Sequence, residues 1–298
     1  MARDMRDSSS ALYLALRSLS QEPSPDRQRA TQAVLRRTML AWKQAYPFRA
    51  GPFVSSEAFP RAAFWPARAS SIDAILKATD PIDERLVEGL GVDARGLFAL
   101  EYLLFEVQNA ELAAVRNDDH GARVRSYALE LGANVRGYAD RVQRLLGDGR
   151  GYAADFARDG QRSVAALVTQ TRDTLDVVSG KFARLERAAR EGLPLPFAVE
   201  GYFSGSSLEI VLAILAGTEA LYSGRGRGGL SELVMSVSSP IDAHVRDSFR
   251  EAERRVRAMG APLEVALGTQ PERFRSAVEA LSELRHVVDV ELHGALVG

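Results

Sequence analysis

The chain has 298 residues, 46% of them hydrophobic and 26% charged, which excludes disorder over most of its length. Its 38 Lys and Arg against 39 Asp and Glu leave a net charge of −1, too little for the basic field that holds nucleic acid. With no cysteine there is no disulfide, no thiolate metal site and no Cys nucleophile, and the three lysines, Lys43, Lys77 and Lys181, read as a bias toward arginine.

The hydrophobic pattern is helical nearly throughout. Asp26, after Pro23 and Pro25, reads as a helix entry, and Leu35, Met39, Trp42 and Tyr46 then step by 4, 3 and 4. A second helix entry falls at Asp118–Asp119, ahead of the stripe Tyr127, Leu131, Val135, Tyr138, Val142 and Leu145. The breaker GDGRG at 147–151 follows. Val164, Leu167, Val168, Thr171, Leu175, Val178, Phe182 and Leu185 trace the longest stripe. LPLP at 193–196 precedes a stripe over Leu208, Val211, Leu212, Leu215 and Tyr222, and GRGRGG at 224–229 ends it. Pro240–Asp242 and Pro271–Glu272 read as helix starts with Pro in the first turn, the latter leading into Leu281, Leu284, Val288 and Leu292. No run alternates with the strand period. The pattern predicts an all-α chain of two helical-bundle domains of about four helices each, over 8–150 and 151–298, with the boundary near Gly147–Gly160. The longest purely aliphatic stretch, Ile210–Ala216, is far short of the roughly 20 residues of a membrane span.

Two segments suggest a site. Pro47–Pro66 is irregular, rich in proline and aromatics, and too apolar for a free linker. In Gly96–Phe105, Glu101 has Leu97, Phe98, Leu104 and Phe105 as its same-face neighbours. A helix apolar all round is buried, and a buried carboxylate needs a cation, a hydrogen bond, a metal or a proton. Both a functional carboxylate and a structural one fit that pattern. Arg49, Ser204 and Ser207 are its candidate partners.

The ordered motifs resemble the imelysin-like family, helical two-bundle proteins of the bacterial periplasm or lipoprotein class, tied to peptidase activity or to iron uptake. Its Gly-x-His-x-x-Glu hallmark is matched at Gly96 and Glu101, with Phe98 where the family has His. Phe48–Pro52 after the Trp42 helix resembles its Gly-Pro stretch, and Phe64–Pro66 its Trp-Pro element. Glu200, Ser204, Ser207 and Leu208 resemble its Glu…Ser…Ser-Leu stretch, and Tyr222-Ser-Gly and Gly229-Leu230 follow in order. The resemblance implies a cleft between the bundles, with Arg49, Gly51, Trp65, Gly96, Phe98 and Glu101 on one wall and Glu200, Ser204 and Ser207 on the other. Its implied ligand is a small molecule or a metal, iron or another divalent ion, with Glu101 the best metal-ligand candidate. Other uptake-system proteins are implied partners. The phenyl ring of Phe98 cannot ligate a metal, which breaks the His–Glu pair that peptidase activity would need.

Other constellations read as surface or scaffold. His286, Asp289 and His293 share one helix face, opposite the apolar stripe, and are expected in solvent. His244 with Asp247 makes an i,i+3 polar pair, His120 sits near a helix start, and no His-Glu-x-x-His zinc signature occurs. GRGRGG lacks the Lys-Ser/Thr of a phosphate loop. Ser204, Ser206 and Ser207 are placed to cap a helix, an end that also favours anions. The opening MARDMRDSSS does not resemble a secretory leader, so the expectation is a mature periplasmic or outer-surface protein without its leader, or a cytoplasmic one. The leading reading is a non-catalytic periplasmic binding protein of iron or metal uptake. The alternatives are a metallopeptidase and a helical protein-interaction scaffold.

Overall fold

The computed structural model describes residues 1–49, 56–106, 115–147, 158–224 and 228–297. Among these residues every regular element is a helix, so the all-α expectation is met. The chain divides into two compact units, Met1–Trp42 with Pro52–Asp148, and Lys43–Gly51 with Gly149–Gly298.

The first unit contains α1 (Ala2–Gln21), most of α2 (Pro25–Ala45), α3 (Ala58–Ala62), α4 (Ala69–Lys77), α5 (Glu84–Gly89), α6 (Gly96–Phe105) and α7 (Asp119–Gly147). The stripes are its core: Leu35, Met39, Trp42, Tyr127, Leu131 and Val135 are all fully buried. Each large apolar side chain taken out of water contributes about 1.5–3 kcal/mol. At Gly132 a Cβ would lie 2.4 Å from Leu16 Cδ1, so the missing side chain lets α1 approach α7. Trp42 donates Nε1–H to Ser9 Oγ at 3.0 Å and meets the edge of Phe59 at 5.4 Å between ring centres. Phe59 lies on α3, so the aromatic segment read as irregular contains a helical turn. The α7 start is capped at Asp118, whose Oδ1 accepts the Gly121 N–H at 2.9 Å.

The second unit contains α8 (Gln161–Glu191), α9 (Ser207–Ser223), α10 (Leu230–Val237), α11 (Ser239–Ala258), α12 (Leu263–Thr269), α13 (Pro271–Val287), a π-helical turn (Val288–Leu292) and α14 (His293–Leu296). Leu175, Val178, Phe182 and Leu185 of α8 pack in its core with Ile210, Val211, Phe249 and Leu284. Pro sits in the first turn of both α11 and α13, as the sequence suggested. Tyr46–Phe48 forms a 3₁₀ turn that groups with this unit, although the stripe from Leu35 reads straight into it. At Gly217 of α9 a Cβ would stand 2.1 Å from the Gln44 carbonyl oxygen and 3.2 Å from Pro47 Cδ.

Candidate functional site

In the first unit, α6 carries the motif. Gly96 opens it at φ +78, and a Cβ there would lie 2.5 Å from the Ala62 carbonyl oxygen, so glycine is required twice over. Beyond it Phe98 is 1% exposed and Glu101 2%, with Leu97, Leu100 and Leu104 fully buried beside them. Trp65 is half-buried in the turn before α4. The helix thus places a hydrocarbon ring and a carboxylate where the sequence resemblance implied a His–Glu pair. A buried phenyl ring offers no lone pair, so this position does not fit a metal held by such a pair.

In the second unit, Glu200 is 6% exposed and lies between two lysines. Its Oε1 is 2.5 Å from Lys43 Nζ, itself almost wholly buried, and its Oε2 accepts from Lys181 Nζ. Lys43 comes from the last turn of α2 and Lys181 from α8, while Glu200 follows the 3₁₀ turn Leu195–Phe197. Burial works to raise the Glu200 pKa, but the charges and hydrogen bonds of Lys181 and Lys43 outweigh it and hold the carboxyl down at about 2. Burial lowers the Lys43 pKa, with Lys181 and Arg49 acting in the same direction and Glu200 opposing them. Arg49 stacks on the Tyr46 ring at 3.6 Å from its centroid and donates Nε–H to the Tyr46 carbonyl at 3.2 Å. Burial pushes the Tyr46 phenol up, and Arg49 opposes that. The two lysines keep Glu200 ionised, and Arg49 adds its charge close to Lys43.

Of the site residues expected from sequence, Trp65, Gly96, Phe98 and Glu101 fall in the first unit and Arg49, Glu200, Ser204 and Ser207 in the second. Gly51 lies outside the described residues. The second unit draws Arg49 and Glu200 into one electrostatic neighbourhood. Lys43 and Lys181 were missed. Their signal was scarcity: two of only three lysines in the chain meet at one carboxylate.

The serines correct an expectation. Ser206 stands at the N-cap of α9 without a side-chain cap hydrogen bond, and its Oγ accepts from Ser204 Oγ at 3.0 Å instead. Ser207 Oγ donates to Glu264 Oε2 at 2.7 Å and accepts the Leu263 N–H at 2.9 Å, so it ties α9 to the start of α12. His244 also differs: its partner is Glu291, 2.9 Å away, while Asp247 pairs with Arg250. His286 is exposed and Asp289 pairs with Arg285 at 3.1 Å. Among the described residues no group of three or more His, Asp or Glu could hold a metal. A second polar node was also unforeseen. Asp242 accepts from Tyr222 Oη at 2.6 Å, from Ser231 Oγ and from Arg246 Nε at 2.8 Å, joining α9, α10 and α11.

The imelysin family model, the peptidase family M75, matches residues 1–288. The chain belongs to the imelysin family. An imelysin-like protein from Psychrobacter arcticum is similar in structure, with a TM-score of 0.74 and 14% identity over 99% of this chain and 90% of that one. A protein from Parabacteroides distasonis, described as a candidate iron-regulated protein A precursor, has a TM-score of 0.72 and 17% identity, with the same coverage of 99% and 90%. At such identities these likenesses speak for the imelysin fold. No curated protein matches the sequence.

Proposed function

We propose that this chain is a non-catalytic imelysin-family protein of metal acquisition, acting in the periplasm or at the outer surface, that captures a small metal-bearing ligand. The observation that carries this reading is Phe98, a buried phenyl ring in place of the histidine of the family motif. Peptide hydrolysis by a metal-activated water needs several ligands and an open coordination position, and a phenyl ring supplies neither. Iron is favoured because a protein of similar fold is described as iron-regulated. Lys43 and Lys181 at Glu200, with Arg49 close to Lys43, favour a ligand that presents anionic groups, a chelate rather than a bare cation.

Calorimetry with ferric citrate, with elemental analysis of the desalted protein, tests this. Retained iron, weakened about tenfold or more by Arg49→Gln, is the expected result. Failure to bind ferric citrate would contradict the reading.

A further inference from the structure

One surface of the first unit has the makings of a second binding site, unrelated to the family motif. A cavity of about 440 Å³ runs along α7, with α5 lining it. Charge is sorted along it. Glu130, Asn134, Gly137, Arg141 and Arg144 recur on one face of α7, at spacings of 4, 3, 4 and 3. The acid comes first and the arginines last. Glu84 of α5 adds a carboxylate beside Glu130, and Glu88 of the same helix adds another one turn on. Among the described residues Glu84, Glu130, Arg141 and Arg144 form no ion pair, and Glu130 is raised by burial and by the like charges of Glu84 and Asp83. Arg136 and Asp140 also line the groove, with Arg136 over the Tyr13 ring at 3.8 Å from its centroid.

Two further observations point to a missing ligand. Arg95 is 1% exposed yet has no carboxylate partner among the described residues. Its Nη2 donates to Asn134 Oδ1 at 2.9 Å and to Tyr138 Oη at 3.4 Å, both on the wall of the cavity, and its buried Nε has no hydrogen-bond partner. The guanidinium's hydrogen bonds go to neutral oxygens, Glu88 supplies opposite charge nearby, and the buried Nε behind that wall is left unsatisfied. Arg141 lies over the same Tyr138 ring, at 5.1 Å from its centroid. Gly137 has no atom within 4 Å of where a Cβ would stand, so the middle of the groove is open.

We infer that this groove binds an extended zwitterion, a short peptide with free termini, its amine at Glu84 and Glu130 and its carboxylate at Arg141 and Arg144. The spacing fits. Glu130 and Arg141 are eleven residues apart on the helix, about 16 Å at the helical rise. An extended peptide of about four residues reaches about 14 Å, and a charge-assisted contact of about 2.8 Å at each end covers the rest. The Arg95 hydrogen bond fixes the Asn134 amide with its oxygen turned inward, leaving two N–H donors for a peptide carbonyl midway.

The probe is tetra-alanine with free termini, titrated calorimetrically into the full chain. Binding is expected, and acetylating the amine or amidating the carboxylate should each weaken it about tenfold or more. Arg141→Gln should lower affinity for the free peptide while leaving that for the amidated one unchanged. Gly137→Leu fills open space and improves helix propensity, so it should abolish binding with the thermal midpoint no lower than wild type. No binding of tetra-alanine to the wild-type chain would overturn the inference. So would binding indifferent to both caps, or binding that survives in a folded Gly137→Leu chain.

Discussion

Glu200 is the residue on which the second unit depends most. Removing its carboxylate takes away the charge that both Lys43 and Lys181 contact, and loss of one partner from a buried pair costs about 3–5 kcal/mol. Glu200→Ala should therefore lose about that much in chemical denaturation, and Lys43→Met distinctly less, since Lys181 still neutralises the carboxylate. The pH dependence has a definite sign. The folded carboxyl titrates at about 2, below the ordinary 4.5, so its contribution is complete above about pH 4.5 and is lost as pH falls toward 2. The midpoint of thermal unfolding should hold between pH 7 and 5 and fall below pH 4, with a shallower fall in Glu200→Gln. A wild-type midpoint flat down to pH 3 would contradict the assignment. Glu101 shows how far sequence reaches at this scale. Four apolar neighbours at helical spacing were enough to predict its burial, because those contacts are local. Lys43 and Lys181 are far apart in sequence and meet only through the tertiary fold, so no local pattern could pair them.

Between elements, glycines set the closest approaches. Gly217→Ala drives a methyl group into the Gln44 carbonyl, 2.1 Å away, and backbone cannot move aside as a flexible side chain can. A loss of about 3 kcal/mol is expected, measured by urea unfolding, whereas alanine at the unobstructed helical Gly180 should gain up to about 1 kcal/mol. The node at Asp242 makes a milder prediction. Tyr222→Phe removes one hydrogen bond to a buried carboxylate that keeps Ser231 and Arg246, so about 1–2 kcal/mol should be lost. Helix positions were legible because buried stripes such as Leu175, Val178, Phe182 and Leu185 repeat with the helical period. The role of Ser206 and Ser207 was not. A serine before a helix has the same sequence whether it caps its own helix or bonds to another, and Glu264, the actual partner of Ser207, is 57 residues away.

At the scale of the whole molecule, Gly96 and Glu101 of the family motif sit on one buried helix with the Phe98 ring between them. Gly96 is kept because α6 could not pass Ala62 with a side chain there, and Glu101 is buried, but the position between them is hydrocarbon. The measurement that tests this account most directly is cleavage of a fluorogenic peptide library by the purified chain with added zinc or iron, beside Glu101→Ala and Phe98→His. The account predicts no turnover by the wild-type chain with either metal. Metal-dependent, chelator-sensitive cleavage by the wild-type chain that disappears in Glu101→Ala would contradict it.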